Sequence, residues 1–201
     1  MVNKQSWKRV AMVNVGFICE GYTEWFILES ENFGNILQNL DLNLIGVINV
    51  EGNGNLLPRN IEKHRKNLMD EGADVILVLT DLDEDQCITN TRNRIGEKED
   101  QHIIIAVKQI ESWFLADSET MKSIFRGNFL FEYPENEFIP FETIRTVYFN
   151  RFLKGIVGRD QKKKLAQKML QNGFSIQNAA NHPNCPSATY FLSKLEQIAK
   201  K

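Results

Sequence analysis

Apolar residues follow two alternating rhythms through the first half of the chain. Val13-Asn14-Val15-Gly16-Phe17-Ile18-Cys19 reads as a strand, and Tyr22 to Leu40 follows as a helix. Phe26, Phe33, Ile36, Leu37 and Leu40 share one face of that helix at steps of three and four residues. Leu44 to Val50 is predicted as a second strand, closed by the turn cluster Gly52-Asn53-Gly54-Asn55. Leu57, Ile61, Arg65 and Leu68 mark a second amphipathic helix, with Gly72 as its stop. Val75-Ile76-Leu77-Val78-Leu79 is an unbroken apolar run, as in a strand buried on both faces, and His102 to Val107 is another. The stretch between those two is expected as a loop. Such strands, joined by helix-length crossovers, imply a parallel sheet with helices on both sides.

After Val107 the strand rhythm stops. Gln109 to Ala116, Glu119 to Phe125, Phe141 to Leu153, Gln161 to Gln171 and Pro186 to Ala199 read as helices, and Glu132 to Pro140 as a loop or lid. In the last helix Ala188, Phe191, Leu192, Leu195 and Ile198 share a face, with Ser187 close to its N-terminus. The expected organisation is an α/β core of about four strands over residues 10–117, with a helical extension over 118–201 packed on it. The pattern leaves open whether those helices cover one sheet face or form a small appendage.

Composition narrows the class. The 201 residues are 42% hydrophobic and 25% charged, which is globular, and a chain this long buries roughly 70% of the surface its unfolded form exposes. With 24 Lys and Arg against 26 Asp and Glu, the formal charge is −2, so a globally basic nucleic-acid coat is excluded while a local basic patch is not. Cys19, Cys87 and Cys185 lie far apart with no Cys or His at ligand spacing, which argues against a zinc module or a disulfide framework and for reduced thiols in the cytoplasm. Lys8-Arg9 and the apolar run to Cys19 imitate a signal peptide, but the run holds Asn14 and ends in Glu20, which suits a strand better. No run approaches the ~20 apolar residues of a membrane span, so no membrane partner is expected.

The chemistry sits at strand ends. Glu20 follows the first strand, Gly21 permits a tight turn and Glu24 falls in the first turn of the next helix. Asp81 and Asp83 follow the third strand as Asp-x-Asp. Ligands of open parallel sheets bind outside the carboxyl ends of the strands, so the four carboxylates are expected to converge. Residues i and i+2 of a strand point the same way, which would let Asp81 and Asp83 share a ligand. Taken singly, each is also what a turn or N-cap uses. Gathered without basic partners they repel, and a hard divalent cation such as Mg²⁺ removes that repulsion.

Phe17-Ile18-Cys19-Glu20-Gly21-Tyr22-Thr23-Glu24 after one strand, with Leu79-Thr80-Asp81-Leu82-Asp83 after another, resembles the TOPRIM (topoisomerase–primase) domain, a compact α/β sheet that binds Mg²⁺. The Glu-Gly-x-Thr-Glu version resembles the small stand-alone TOPRIM proteins and the nuclease domain of the overcoming-lysogenisation-defect family, associated with anti-phage defence. Lys108 to Asp117 and Asn184-Cys185-Pro186-Ser187 resemble blocks of the stand-alone group, so the resemblance spans most of the chain. It implies that Glu20, Glu24, Asp81 and Asp83 are metal ligands or their immediate neighbours, with Mg²⁺ or Mn²⁺ as the ion. It further implies catalytic roles for Glu20, for Glu111 as a further ligand, and for Lys108 in stabilising charge on a transferring phosphate. Glu111 also fits an exposed helix position, Lys108 a plain strand end, and Asp117 the cap of the helix that starts near Ser118. No Gly-x-x-x-x-Gly-Lys-Ser/Thr is present, so the ATPase half of the large defence nucleases would have to come from a partner protein.

Competing motifs fail on spacing. Asp81-x-Asp83-x-Asp85 starts like a calcium loop, but Gln86 stands at its sixth position and Arg92 at its twelfth. An aspartyl-phosphate phosphatase would leave Glu20 and Glu24 unexplained. His64, His102 and His182 have no ligand partner by spacing. Arg151, Lys154, Arg159, Lys162, Lys163, Lys164 and Lys168 form a basic run opposed only by Asp160. Such a run is commonly a solvated helix face. Beside a metal site it is also a track for a nucleic-acid backbone, with Arg159, Lys162, Lys163, Lys164 and Lys168 as the contacts, distant from the carboxylates. The expectation is a Mg²⁺-dependent phosphodiesterase acting on DNA or RNA, in a defence or toxin-like system. Its rival is a non-catalytic TOPRIM-like module serving as sensor or effector subunit.

Overall fold

A computed structural model describes residues 12–156 and 160–200. Lys8, Arg9, Val10, Arg159 and Lys201, used above, lie outside the described residues. Four strands, β1 (Val13–Cys19), β2 (Leu42–Asn49), β3 (Val75–Asp81) and β4 (Gln101–Ala106), form one all-parallel sheet in the order β2-β1-β3-β4. The helices are α1 (Tyr22–Leu28), α2 (Glu31–Asn39), α3 (Pro58–Asp70), α4 (Ile88–Ile95), α5 (Glu111–Ala116), α6 (Ser118–Phe125), α7 (Pro140–Phe152), α8 (Gln161–Gln171), α9 (Ile176–Ala180) and α10 (Pro186–Ala199). This is the expected α/β class. Among the described residues no helix is long and apolar enough to cross a membrane.

Alternation along the strands sorts the core into two layers. Ile18, Ile76, Val78, Ile103 and Ile105 pack with Ile61 and Leu68 of α3 and Ile95 of α4. Val15, Phe17, Leu77, Leu79 and Ile104 pack on the opposite face with α1, α2, α5 and α10. Gly16 lets α3 approach β1, since a Cβ there would meet Leu68 side-chain carbons at 3.1 and 3.2 Å. The choice the pattern left open is resolved by Phe191 of α10. Its ring lies 6.2 Å from Phe17, 5.8 Å from Phe33 and 5.9 Å from Trp113, centroid to centroid, so the C-terminal helix covers a sheet face.

Three local readings change. The helix expected over 22–40 is two, because Ser30 ends one and starts the next: its Oγ donates to the Ile27 carbonyl (2.7 Å) and accepts from the Phe33 N–H (3.2 Å). The expected loop before β4 contains α4, which buries only Thr91 and Ile95 and so carries little apolar period. Helix α9 is five residues long, too short for a period, and is started by Ser175 accepting from the Asn178 N–H.

The segment 132–140 is anchored at its centre. Glu135 is buried and accepts from both the N–H (2.8 Å) and the hydroxyl (2.6 Å) of Ser187, whose oxygen accepts in turn from the Trp113 indole N–H (2.7 Å). Asp117 caps α6 as expected, accepting from the Thr120 N–H (2.9 Å), and also accepts from the Ser175 N–H (3.2 Å) next to α9.

Candidate functional site

Because every strand is parallel, all four carboxyl ends lie at one edge of the sheet. Glu20 extends the line of β1 by one residue. Its N–H bonds the Leu79 carbonyl at 3.2 Å and its carbonyl accepts from the Gly52 N–H at 2.8 Å. Its carboxylate accepts from the Thr80 hydroxyl at 2.6 Å. Gly21 precedes α1, and a Cβ on it would stand 3.1 Å from a Glu24 carboxylate oxygen. The absent side chain therefore leaves room for Glu24, in the first turn of α1, to fold back beneath the strand ends.

Glu20, Glu24, Asp81 and Glu111 line one cavity of about 330 Å³, with Glu51, Asp160, Lys162 and Lys163 also on its wall. Glu24 and Asp81 are buried, and Glu111, which opens α5, has no exposure at all. The resemblance to an exposed helix position is thus excluded for Glu111. Asp81 Oδ1 accepts from the Ile110 N–H at 2.7 Å, and Glu111 accepts from the Thr23 hydroxyl (3.5 Å) and from Lys162 Nζ (3.4 Å).

Burial dominates the electrostatics. It pushes the Glu24 carboxyl up to about 8, with the charges of Glu111 and Glu20 adding to the rise. Desolvation, then Glu24 and Glu111, hold Asp81 well above the usual carboxylate range. Glu111 is raised by burial despite the opposing pull of Lys162, and Glu20 is raised by partial burial against the lowering hydrogen bond from Thr80. Desolvation drags the Lys162 ammonium down, but Glu111, Asp81 and Glu24 together leave it above the ordinary lysine value. The site is short of positive charge: six carboxylates line the cavity against Lys162 and Lys163, and the Lys162 side chain, bonded to buried Glu111, is 45% exposed.

Asp83 goes elsewhere. Strand β3 ends at Asp81, and Asp83 takes a left-handed backbone (φ 47°), so the i, i+2 alternation does not carry through to it. Asp83 lines a neighbouring cavity of about 690 Å³ together with Lys108, Gln109 and Arg94. Lys108 is also left-handed (φ 63°), and its carbonyl accepts from the Asp83 N–H at 2.8 Å. Two adjoining non-glycine residues in that region mark backbone held by its surroundings, as functional sites often require. Asp83 still raises the pKa of Glu20, so the two cavities are coupled through their charges although they share no lining residue.

Two lysines of the basic run line the carboxylate cavity. Lys162, expected on a distant phosphate-binding face, reaches into the carboxylate cavity because α8 folds back against α1. Lys163 Nζ sits 3.4 Å from the Tyr22 ring centroid and 3.9 Å from Asp160, and Lys168 Nζ lies 5.4 Å from the Tyr148 centroid. Lys164 lies on the same helix and is exposed. Residues not singled out from the sequence also belong here. Thr23 and Thr80 hold carboxylates, and both adjoin acidic motif positions, which was the available signal. Glu51 accepts from the Tyr22 hydroxyl and had none.

Among the described residues no three His, Cys, Asp or Glu side chains stand close enough together to grip an ion as they are. The donor set nevertheless fits a hard divalent cation: it is all oxygen, largely desolvated and undercompensated. Glu20, Glu24, Asp81 and Glu111 are the residues that would hold it. No family model, curated protein or solved structure matches the chain.

Proposed function

We propose that the protein is a TOPRIM-like, Mg²⁺-dependent phosphodiesterase acting on DNA or RNA in the cytoplasm, with Mn²⁺ as an alternative ion. The observation that carries this reading is the sharing of one cavity by Glu24, Asp81 and Glu111, all buried, on a wall where six carboxylates meet two ammonium groups, of which Lys162 bonds Glu111. Buried carboxylates in that number need a proton or a cation, and a cavity open to solution can take either. When bound, a divalent cation would supply charge neutralisation and an activated water.

The chain's own groups have distinct tasks. Asp81, fixed by the Ile110 N–H, and Glu111, fixed by Thr23, present oxygens in set directions. Glu20 is less buried than either, and burial raises its carboxyl above the usual range, which favours its holding a proton that it can pass to a neighbouring group. The Lys162 ammonium can turn from Glu111 to a phosphate oxygen, and Lys108 meets phosphate from the neighbouring cavity. The resemblance to defence nucleases suggests anti-phage defence or a toxin-like system as the setting, with an ATPase partner protein.

One observation favours a second reading. Lys162 already compensates part of the buried charge, as it would in a non-catalytic TOPRIM-like binding module. The test is incubation of purified protein with plasmid, single-stranded DNA and transfer RNA, in Mg²⁺, in Mn²⁺ and in chelator. Cleavage that requires the ion and disappears in Asp81→Asn supports the enzyme. Nucleic-acid binding with no ion-dependent cleavage supports the module.

A further inference from the structure

We propose that the 690 Å³ cavity beside the carboxylate site receives one unpaired nucleobase of a single-stranded nucleic acid, stacked on Phe138, with the adjoining phosphate met by Lys108. This rests on the phosphodiesterase reading and narrows its substrate to single strands. Phe138 is 70% exposed, and its neighbours on the cavity wall, Ile139 and Leu57, are exposed as well. Isolated exposed apolar residues are ordinary, but three around one cavity form a platform. Lys108 Nζ lies 5.5 Å from the Phe138 ring centroid, so the apolar face and a phosphate partner come side by side. Aromatic face plus adjacent cation is how sequence-tolerant single-strand binders hold successive nucleotides.

The rest of the wall suits a neutral planar ring better than a free anion. Asp83, Glu84 and Asp85 outnumber Lys108 and Arg94, and Arg94 is committed to Asp85 at 3.1 Å. Gln109 gives its amide N–H to Asp83 at 3.4 Å, while its buried carbonyl oxygen has no hydrogen-bond partner among the described residues. The carboxylates of Asp83 and Glu84 on the same wall are acceptors that a base N–H or amino group complements. The volume lies within the range of about 300–1,000 Å³ that small ligands occupy. Leu82 and Gln109 of this wall directly adjoin, in sequence, Asp81 and Ile110 of the carboxylate cavity, so the phosphodiester would lie between the cavities, its nucleoside on the Phe138 side. A base within a duplex is already stacked and cannot reach this wall without being extruded.

The test uses the full chain with Ca²⁺ in place of Mg²⁺, a fluorescein-labelled single-stranded DNA, its RNA counterpart and the same sequence as a duplex. Wild type should bind single strands more tightly than duplex. Phe138→Ala should weaken single-strand binding by roughly tenfold and leave duplex binding unchanged, while Phe138→Trp should retain affinity. A 2-aminopurine placed in the strand should be quenched by wild type and not by Phe138→Ala. Unchanged single-strand affinity in Phe138→Ala, or an equal loss on duplex, overturns the subsite, whatever the wild type does in Mg²⁺. Phe138-dependent single-strand binding without any ion-dependent cleavage supports the subsite and overturns the phosphodiesterase reading alone.

Discussion

Lys162 Nζ lies 3.4 Å from Oε2 of Glu111, a carboxylate with no solvent exposure, across 51 residues of sequence. The pair joins the first turn of α8 to the first residue of α5, and so ties the helical half of the chain to the sheet edge. Lys162→Met keeps the aliphatic stem and removes the charge that opposes Glu111, Asp81 and Glu24. Because Lys162 is 45% exposed, its contribution is discounted for solvent to about 1 kcal/mol, or some 2–4 °C in Tm at pH 8 in chelator. Thermal unfolding in chelator and in Mg²⁺ checks this, and the loss should shrink when the ion is present.

Metal-free stability should fall as pH rises. The Glu24 carboxyl titrates near 8 in the folded protein and near its ordinary 4.5 unfolded, so between those values the folded state holds the extra proton. Its stabilisation is complete below about pH 4.5 and is lost progressively toward pH 8. Mg²⁺ should therefore raise Tm more at pH 8 than at pH 5.5. An equal rise at both would show that the ion binds elsewhere.

Asp81→Asn preserves size and can still accept from the Ile110 N–H, but removes one of the buried charges. Cleavage should drop by orders of magnitude, because the position no longer supplies an anionic oxygen. In chelator the variant should be as stable as wild type or more so, since repulsion from Glu24 and Glu111 is relieved. Full cleavage by Asp81→Asn would show that the activity does not depend on this carboxylate cavity.

Ser187→Ala should be among the more damaging single changes remote from the carboxylates. It leaves Glu135 buried without its hydroxyl donor and the Trp113 indole N–H without its acceptor. Two buried polar groups losing a partner predict a cost of about 2–4 kcal/mol, measurable by urea unfolding.

Salt dependence separates the lysines. Lys162, shared between Glu111 and a phosphate oxygen, should on change to Gln alter Mg²⁺ affinity and also reduce the log-log salt slope of nucleic-acid binding, whereas Lys164→Gln, outside the cavity lining, should leave Mg²⁺ affinity intact and reduce the slope alone. A residue that contacts phosphate should reduce that slope by about 0.9 on duplex or about 0.7 on a single strand. Filter binding at several salt concentrations distinguishes the two outcomes.

The strands were legible because burial on both faces leaves continuous apolar runs, and β1, α8 and α10 have the expected bounds. Glu20, Glu24 and Asp81 could be named because strand ends of a parallel sheet meet at one edge, whereas Glu111 was implied only by the family resemblance. The direction of Asp83 could not be read, since a left-handed residue two positions past Asp81 leaves no mark in composition. Nor could the reach of Lys162, whose neighbours in sequence are all basic or polar. It acquires its partner only when α8 packs on α1. Ser30 did carry a signal, a capping residue inside an apolar period, but the continuous Tyr22-to-Leu40 face outweighed it.

The sheet order β2-β1-β3-β4 puts β1 and β3 at the centre, and those strands deliver Glu20 and Asp81. Amides of such central strands are expected to exchange only when the whole sheet opens, whereas Lys162 and Phe138 stand at exposed positions outside the sheet, where smaller openings are expected. Hydrogen exchange would then record two clocks at a single cleft. Glu20 and Asp81 should keep time with global unfolding, while the segments that carry Lys162 and Phe138 should follow faster, separate openings.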